Sequence, residues 1–313
     1  MKKNVRIGVI GVGMVGTPLA RYFEEREGYL RGKELFLFDT NPDKNYDDDV
    51  GRADIIFVCV PTPPAKDGSC DLSYVASALN SIRGAKIIVI KSTVPPGTTE
   101  LFQKKYPRHK FLFNPENLTE RNAWEDFMRP DVQIVGFTAK SREAAALVLS
   151  LLPKAPFMSP WGVSTYRRVE ITATEAEIIK YARNVHFARK VNFANLLAAL
   201  ADKLGADYEH IRLGMAADFR IGDSHLDVTH GGYRGFGGYC LPKDLDALIA
   251  HLERQGLSDG AELLKTDRDF NKKLLKRQGL TLEDVSVHDA EWVRRHAKKE
   301  AMPVSVRRAK AQS

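Results

Sequence analysis

Three cysteines in 313 residues, an odd number without regular spacing, are too few for a disulfide framework and argue for a reducing compartment. No run approaches the roughly 18 consecutive apolar residues of a membrane span. The opening MKKNVRIGVIGVG passes straight into a strand-like segment with no small-residue cleavage site, so it reads as a first strand rather than a leader. The expectation is a cytoplasmic protein. Zinc-finger spacing and aromatic RNA-binding signatures are missing as well. The formal charge of +7, much of it in EWVRRHAKKE and VSVRRAKAQS, therefore reads as a solvated basic tail and not as a nucleic-acid surface. His225 and His230 lack a third ligand, and no metal site is expected. There is no internal repeat.

What is present suggests two domains, at about 100–200 residues each. The first half alternates short apolar runs (VRIGVIGVG, ELFLFD, DIIFVCV, KIIVIKS, KFLFNPE and QIVGF) with helical or polar stretches, one of them amphipathic from Thr17 to Glu27. That pattern predicts an α/β fold, a Rossmann-type doubly wound parallel sheet over residues 1–160. It breaks where three prolines crowd between Pro153 and Trp161. From Ile171 to Gly205 the chain carries few helix breakers, and a single long helix is expected. Ile178, Tyr181, Val185 and Ala188 form one stripe on it, and Phe193, Leu197 and Leu200 another. Such a helix needs apolar partners on more than one side, from its own domain or a second subunit. Two further helices, Leu241 to Gln255 and Ala261 to Gln278, complete an all-helical domain over 161–278. A basic tail, helical in part or disordered, occupies 279–313.

Gly11, Gly13 and Gly16 in GVIGVGMVGTP fit G-x-G-x-x-G, a weak signal alone. Here the pattern follows an apolar strand, opens a helix and is answered by Asp39 at the end of ELFLFD. Each glycine meets a different physical requirement, namely a tight turn, a bare backbone near pyrophosphate, and close helix-to-strand packing. The helix N-terminus offers N–H donors and positive potential to the phosphates. Asp39 would accept from ribose hydroxyls and repel a 2′-phosphate, so NAD is the expected cofactor; Lys44 softens that preference.

The stretch GFGGYCLPKD, 235–244, sets Cys240 among glycines with Lys243 three residues on. It is either a tight turn around a buried thiol or a nucleophile whose thiolate the ammonium favours. Cys59 lies in an apolar run and reads as core; Cys70 lies in a polar loop without helper groups. Lys180 and Asn184, spaced i, i+4, share a helix face and can stabilise negative charge developing on an oxygen.

Seven segments in order, GVGMVG, CVPTP, KSTVPPGT, NPENLTE, EAEIIKYARN, DFRIG and GFGGYCLPKD, resemble the UDP-glucose/GDP-mannose dehydrogenase family, nearest to the bacterial UDP-glucose 6-dehydrogenases. The resemblance covers roughly residues 5 to 275. It implies NAD-dependent oxidation of a sugar C6 alcohol to the carboxylate, with a nucleotide sugar or sugar phosphate as substrate. A cysteine suits that chemistry, because it can trap an aldehyde as a thiohemiacetal and carry it to a thioester. By resemblance Cys240 is the nucleophile, Lys180 and Asn184 the oxyanion donors, Asp244 the partner of the base, Glu116 the residue of thioester hydrolysis and Thr93 a hydroxyl near the nicotinamide. An alternative for Asp244 is a carboxylate at a helix N-terminus. Val15, Pro61, Thr62 and Lys243 join the cofactor set, and Asn117, Leu118, Glu120 and Gly237 the substrate set. Arg220 matches an arginine that reaches a neighbouring subunit's site, which implies a homodimer.

The chain also departs from the family. Asn117 stands where phenylalanine is usual, Leu196 replaces a frequent acid, and DSHLDVTHGGYRGFGG has extra glycine and histidine. The usual second nucleotide-binding-like domain is not indicated beyond Gln278, so a partner supplying it belongs among the expectations. Two rival readings stand beside the first. A 3-hydroxyacid-type dehydrogenase would share the helix lysine and asparagine but need no cysteine. An NAD-binding scaffold without catalysis would need none of these residues.

Overall fold

The computed structural model describes residues 5–160, 169–287 and 291. Trp161 and, of the expected tail, residues 288–290 and 292–313 lie outside the described residues. Two compact units divide the chain, residues up to Arg183 and residues from Asn184.

The first unit is built on six strands in the order β2-β1-β3-β4-β5-β7. These are β1 (Ile7–Ile10), β2 (Leu35–Phe38), β3 (Ile55–Val58), β4 (Ile87–Ile90), β5 (Lys110–Phe113) and β7 (Gly136–Phe137). All pair parallel except β7, which runs antiparallel to β5. Ile7 stands opposite both Leu35 and Ile55. Successive residues of a strand point to opposite faces, and here both faces are apolar. Leu35, Leu37, Ile55, Phe57, Val89 and Leu112 enter one core. Their neighbours Phe36, Ile56, Val58, Ile88, Ile90, Phe111 and Phe113 enter the other. Both faces are therefore covered, and the doubly wound parallel sheet expected from the sequence is present.

Helices connect the strands: α1 (Gly16–Glu25), α2 (Ser73–Ser81), α3 (Thr98–Lys105), α4 (Ala123–Met128) and α5 (Arg142–Ser150). QIVGF, expected as one strand, is two. Its first part, β6 (Val132–Ile134), pairs with β8 (Phe157–Ser159) in a separate sheet, while β7 joins β5. A Cβ on Gly136 would lie 2.7 Å from both the Ala176 Cβ and the Thr172 carbonyl oxygen, so the start of the next helix rests directly on this backbone.

That helix, α6 (Ala173–Leu204), is the long one the sequence predicts. Its residues through Arg183 belong to the first unit and the remainder to the second. Tyr181, Val185 and Ala188 are buried, but Ile178 is half exposed and leaves the expected stripe. Phe193, Leu196, Leu200 and Leu204 also stand exposed.

The second unit adds α7 (Tyr208–Ala216), α8 (Cys240–Arg254), α9 (Ser258–Lys276) and α10 (Leu282–Val285). Its core gathers Val185, Ala188 and Val191 with Phe236, Leu245, Ile249, Ala261 and Leu264. No described helix is long and apolar enough to cross a membrane.

Candidate active site

The carboxyl ends of the strands carry the first group of residues. Gly11 has φ +89, and a Cβ there would lie 2.7 Å from the Cys59 carbonyl oxygen. A Cβ on Gly16 would meet the Gly11 oxygen at 1.9 Å, whereas nothing lies within 4 Å of the Cβ position of Gly13. The three glycines thus divide into a turn, an open face and a packing contact. The order of the chain reverses between β1 and β3, the place where an open α/β sheet receives its ligand. The turn opens α1, whose first residues follow Val15. These features fit a dinucleotide with its pyrophosphate over Gly13.

Asp39 is committed differently from a free ribose acceptor. Its Oδ2 accepts from the Val12 N–H at 2.8 Å and from Lys44 Nζ at 2.8 Å, and its Oδ1 from the Asn41 N–H at 2.9 Å. Lys44 also donates to the Val12 carbonyl. A carboxylate has about four lone-pair sites, so Asp39 braces the glycine turn and keeps acceptor capacity. Burial pushes its carboxyl up, but Lys44, Asn41 and Val12 together hold it below the ordinary range. Thr62 is buried and Pro61 exposed in the loop after β3. Ser92 Oγ donates to the Val60 carbonyl at 2.6 Å, which ties that loop to the one holding half-buried Thr93. Cys59 is core, as expected, and burial pushes its thiol up to about 12. Cys70 is buried too, with its Sγ 3.7 Å from the Thr93 carbonyl oxygen; it is not loose in a polar loop.

Glu116 and Lys180, 64 positions apart, form a buried pair. Lys180 Nζ donates to Glu116 Oε1 at 2.7 Å and to the Glu116 carbonyl at 2.8 Å. The second carboxylate oxygen accepts from the Leu118 N–H at 2.8 Å. Burial pushes the Glu116 carboxyl up, but Lys180, the Leu118 N–H and Lys91 outweigh it and hold the group below its usual range. Asn117 and Glu120 are half-buried beside it, and Leu118 packs against the core.

In the second unit Cys240 is the first residue of α8, and of the three cysteines it alone is not buried. Pro242 in the first turn costs no intrahelical hydrogen bond. Asp244, 1% exposed, accepts from Asn184 Nδ2 at 2.5 Å and pairs with Lys243. It lies beyond the first turn of α8, since the helix begins at Cys240, and this corrects its alternative reading as an N-terminal helix carboxylate. Arg220 is exposed on the DFRIG turn and pairs with Asp218. His225 stacks on Phe187 with ring centroids 4.1 Å apart.

Sequence reading missed what holds the cysteine loop. Asn271 accepts from the Phe236 N–H and donates back to its carbonyl; Gln278 does the same with Arg234. Gly235 makes room for this, because a Cβ there would lie 2.6 Å from Asn271 Oδ1. Gly237 faces the Tyr233 hydroxyl and Val285, and the Gly238 N–H donates to the Val285 carbonyl at 2.8 Å. The available signal for α10 was Thr281 and Asp284, which form its capping box.

Comparison with known proteins places these residues in context. Residues 31–151 match the NAD binding domain of the UDP-glucose/GDP-mannose dehydrogenase family, and residues 174–273 its central domain. A UDP-glucose 6-dehydrogenase of Pseudomonas aeruginosa is 34% identical over 297 residues, covering 80% of this chain and 62% of its own length. UDP-glucose 6-dehydrogenase TuaD of Bacillus subtilis is 38% identical over 211 residues, covering 64% and 42%. The structure of a UDP-glucose dehydrogenase from the archaeon Pyrobaculum islandicum matches with a TM-score of 0.70 at 29% identity, over 88% of this chain and 71% of that one. The chain thus spans less than two thirds of the length of these two curated relatives.

Proposed function

The chain belongs to the UDP-glucose/GDP-mannose dehydrogenase family, with its NAD-binding domain in the first unit, and on that premise we propose that it oxidises the C6 alcohol of a nucleotide sugar, UDP-glucose first, to the carboxylate. The observation that carries this reading is Cys240, the one cysteine held out of the core and set at the start of a helix, whose dipole favours a thiolate.

NAD bound at the glycine turn supplies the hydride acceptor for both oxidations. Asp244, acting through water, takes the proton of the C6 alcohol as the aldehyde forms. The Cys240 thiolate adds to the aldehyde carbon, and the resulting oxyanion gains a proton to give a thiohemiacetal. Lys180 and Asn184 stabilise negative charge on the substrate oxygen. Loss of the second hydride together with the hydroxyl proton, which passes to solvent, leaves a thioester on Cys240. Glu116 takes a proton from water as the water attacks, and cleavage of the C–S bond releases the carboxylate and restores the thiolate. Each of the two acids already has its donor, Lys180 on Glu116 and Asn184 on Asp244.

Thr93 serves as a hydroxyl near the nicotinamide and the reacting sugar, and Gly237 belongs to the loop proposed to meet the substrate. The exposed Phe193, Leu196, Leu200 and Leu204, spaced along one stripe, support a homodimer, in which exposed Arg220 serves the partner's site. The working limits are a dinucleotide domain over 1–160, a central domain over 161–278 and a tail beyond, in the cytoplasm, where the thiols stay reduced.

The test is to count NADH against UDP-glucose consumed by the full chain, with GDP-mannose and simple sugar phosphates alongside. Two NADH per sugar, abolished in Cys240→Ser, is the expected result. One NADH unaffected by the substitution would move the protein to single-step hydroxyacid oxidation. Tight NAD binding with no turnover would leave a scaffold.

A further inference from the structure

Arg234 directly precedes the glycines of the cysteine loop, and its side chain is committed to helix α6. Nε donates to Asn195 Oδ1 and Nη2 to the Asn195 carbonyl, each at 3.1 Å, while Nη1 pairs with Asp202 at 2.8 Å. Asn195 is fully buried and gives an amide hydrogen of its own to the Val191 carbonyl at 2.9 Å, which turns its Oδ1 to the guanidinium. These three contacts use the rigid fork of an arginine. A lysine ammonium is a single point that would take one acceptor and leave the others.

The same helix holds the other end of the segment. Asn184 Nδ2 donates to Asp244 at 2.5 Å, about three helical turns before Asn195. Cys240 lies between the two attachments. Glycines lose more backbone freedom on ordering than any other residue, so a stretch with Gly235, Gly237 and Gly238 does not fix a nucleophile unaided. From α9 and α10, Asn271 holds the Phe236 backbone and Val285 the Gly238 N–H. Gln278 accepts from the Arg234 N–H at 2.8 Å and donates to its carbonyl at 2.7 Å. All of these bonds are made to backbone groups and survive a change of the Arg234 side chain. What that side chain alone supplies is the register of the loop against α6, the helix that carries Asn184.

We infer that Arg234 is a positioning residue: with the Asn184–Asp244 bond it clamps the cysteine segment to α6 at both ends, and so places Cys240 to capture an aldehyde beside Asn184. The inference rests on the proposed two-step oxidation, in which Cys240 acts only after the first hydride has left. Loss of the clamp therefore falls on capture and not on oxidation of the alcohol. The first hydride still passes to NAD and the alcohol proton to the base, and the uncaptured aldehyde leaves the site with one NAD reduced instead of two.

The experiment compares the full chain with Arg234→Met, which removes the fork, and Arg234→Lys, which keeps only the charge. NADH and aldehyde, trapped by hydroxylamine as its oxime, are counted against UDP-glucose consumed. Alkylation of Cys240 by iodoacetamide is followed in parallel on its own peptide. In both variants the first NADH should form within about twofold of the wild-type rate and the second about tenfold or more slowly, with oxime appearing. The Cys240 alkylation rate constant should change by about threefold or more. A lowered melting temperature with two NADH per sugar and unchanged alkylation would mean that the arginine only stabilises the fold, and would overturn the inference. Recovery of both readouts in Arg234→Lys would overturn it as well, since charge without the fork would then suffice. If Arg234→Met does not fold, Asp202→Ala decides, because Asp202 is 66% exposed and removes only the Nη1 contact. There the expected change in alkylation is about twofold, and an unchanged rate overturns the clamp. Altered alkylation in variants of a chain without turnover would count against the proposed activity alone; two NADH per sugar with unmoved alkylation would count against Arg234 alone.

Discussion

Glu116 and Glu177 are two buried glutamates in the same unit with opposite electrostatic fates. Glu116 meets Lys180 and Lys91 and is held below its ordinary range. Glu177, on the same helix as Lys180, accepts from the Gly97 N–H at 2.6 Å, the Thr99 N–H at 2.8 Å and Thr99 Oγ1 at 2.6 Å. Burial nonetheless pushes it up to about 7 against those donors, with Glu100 adding to the rise. Three dipolar donors, including the free N–H groups at the start of α3, do not replace an ammonium in a dry site. A full cation does.

The difference can be broken from the Glu116 side first. Lys180→Met should make Glu116 resemble Glu177, raising its carboxyl and costing roughly 3–5 kcal/mol of stability because one partner of a buried pair is left alone. Denaturant unfolding near neutral pH checks this. A cost under about 1 kcal/mol would mean that Lys91 and the Leu118 N–H already suffice.

Glu177 gives the next largest effect, and its sign is opposite to that of a paired acid. Its carboxyl lies at about 7 against an ordinary 4.5, so the folded state binds the proton that the unfolded chain releases. Its contribution is complete below pH 4.5 and falls as pH rises toward 7, by about 3 kcal/mol. Thermal melts across that window should show a decline that Glu177→Gln flattens. Equal slopes in the two proteins would contradict the assignment.

Asp244, in the second unit, has one ammonium and one amide as partners. Asp244→Asn should keep the fold and slow the first oxidation by about a hundredfold with little change in KM. Pre-steady-state NADH formation reads this, and a slowed second turnover with a normal first would reassign the residue. The smallest effect is expected at Asp39, which is half-buried. Lys44→Ala exposes its charge to a 2′-phosphate and should raise the preference for NAD over NADP by a few-fold, within about 1 kcal/mol. A shift toward NADP in binding titrations would show that Lys44 opposes the dinucleotide's other end.

Much of the first unit was legible because its signals are local. Short continuous apolar runs give the strands, and Gly11, Gly13 and Gly16 carry their geometric requirements in their own backbones. The split of QIVGF was not legible, since its two parts pair with different strands, β8 and β5, that lie apart in sequence. Nor was the pairing of Lys180 with Glu116, which no spacing rule connects across 64 positions. Glu116 is nonetheless singled out by family resemblance, and Lys180 by its i, i+4 spacing with Asn184 as well. Asn271 and Gln278 escaped notice for a related reason. An amide on an amphipathic helix looks like solvated surface until a partner backbone comes back to it.

The contact between Val285 and the glycines of the cysteine loop bears on how the molecule can be re-engineered. The region matched to the family's central domain stops at residue 273, yet Val285 closes over Gly237 and accepts from Gly238. A cut placed at the end of α9 would remove a wall of the loop that presents Cys240. Fusions and domain grafts therefore need the chain kept through Val285, and Gly237 is a position where diversity cannot be introduced.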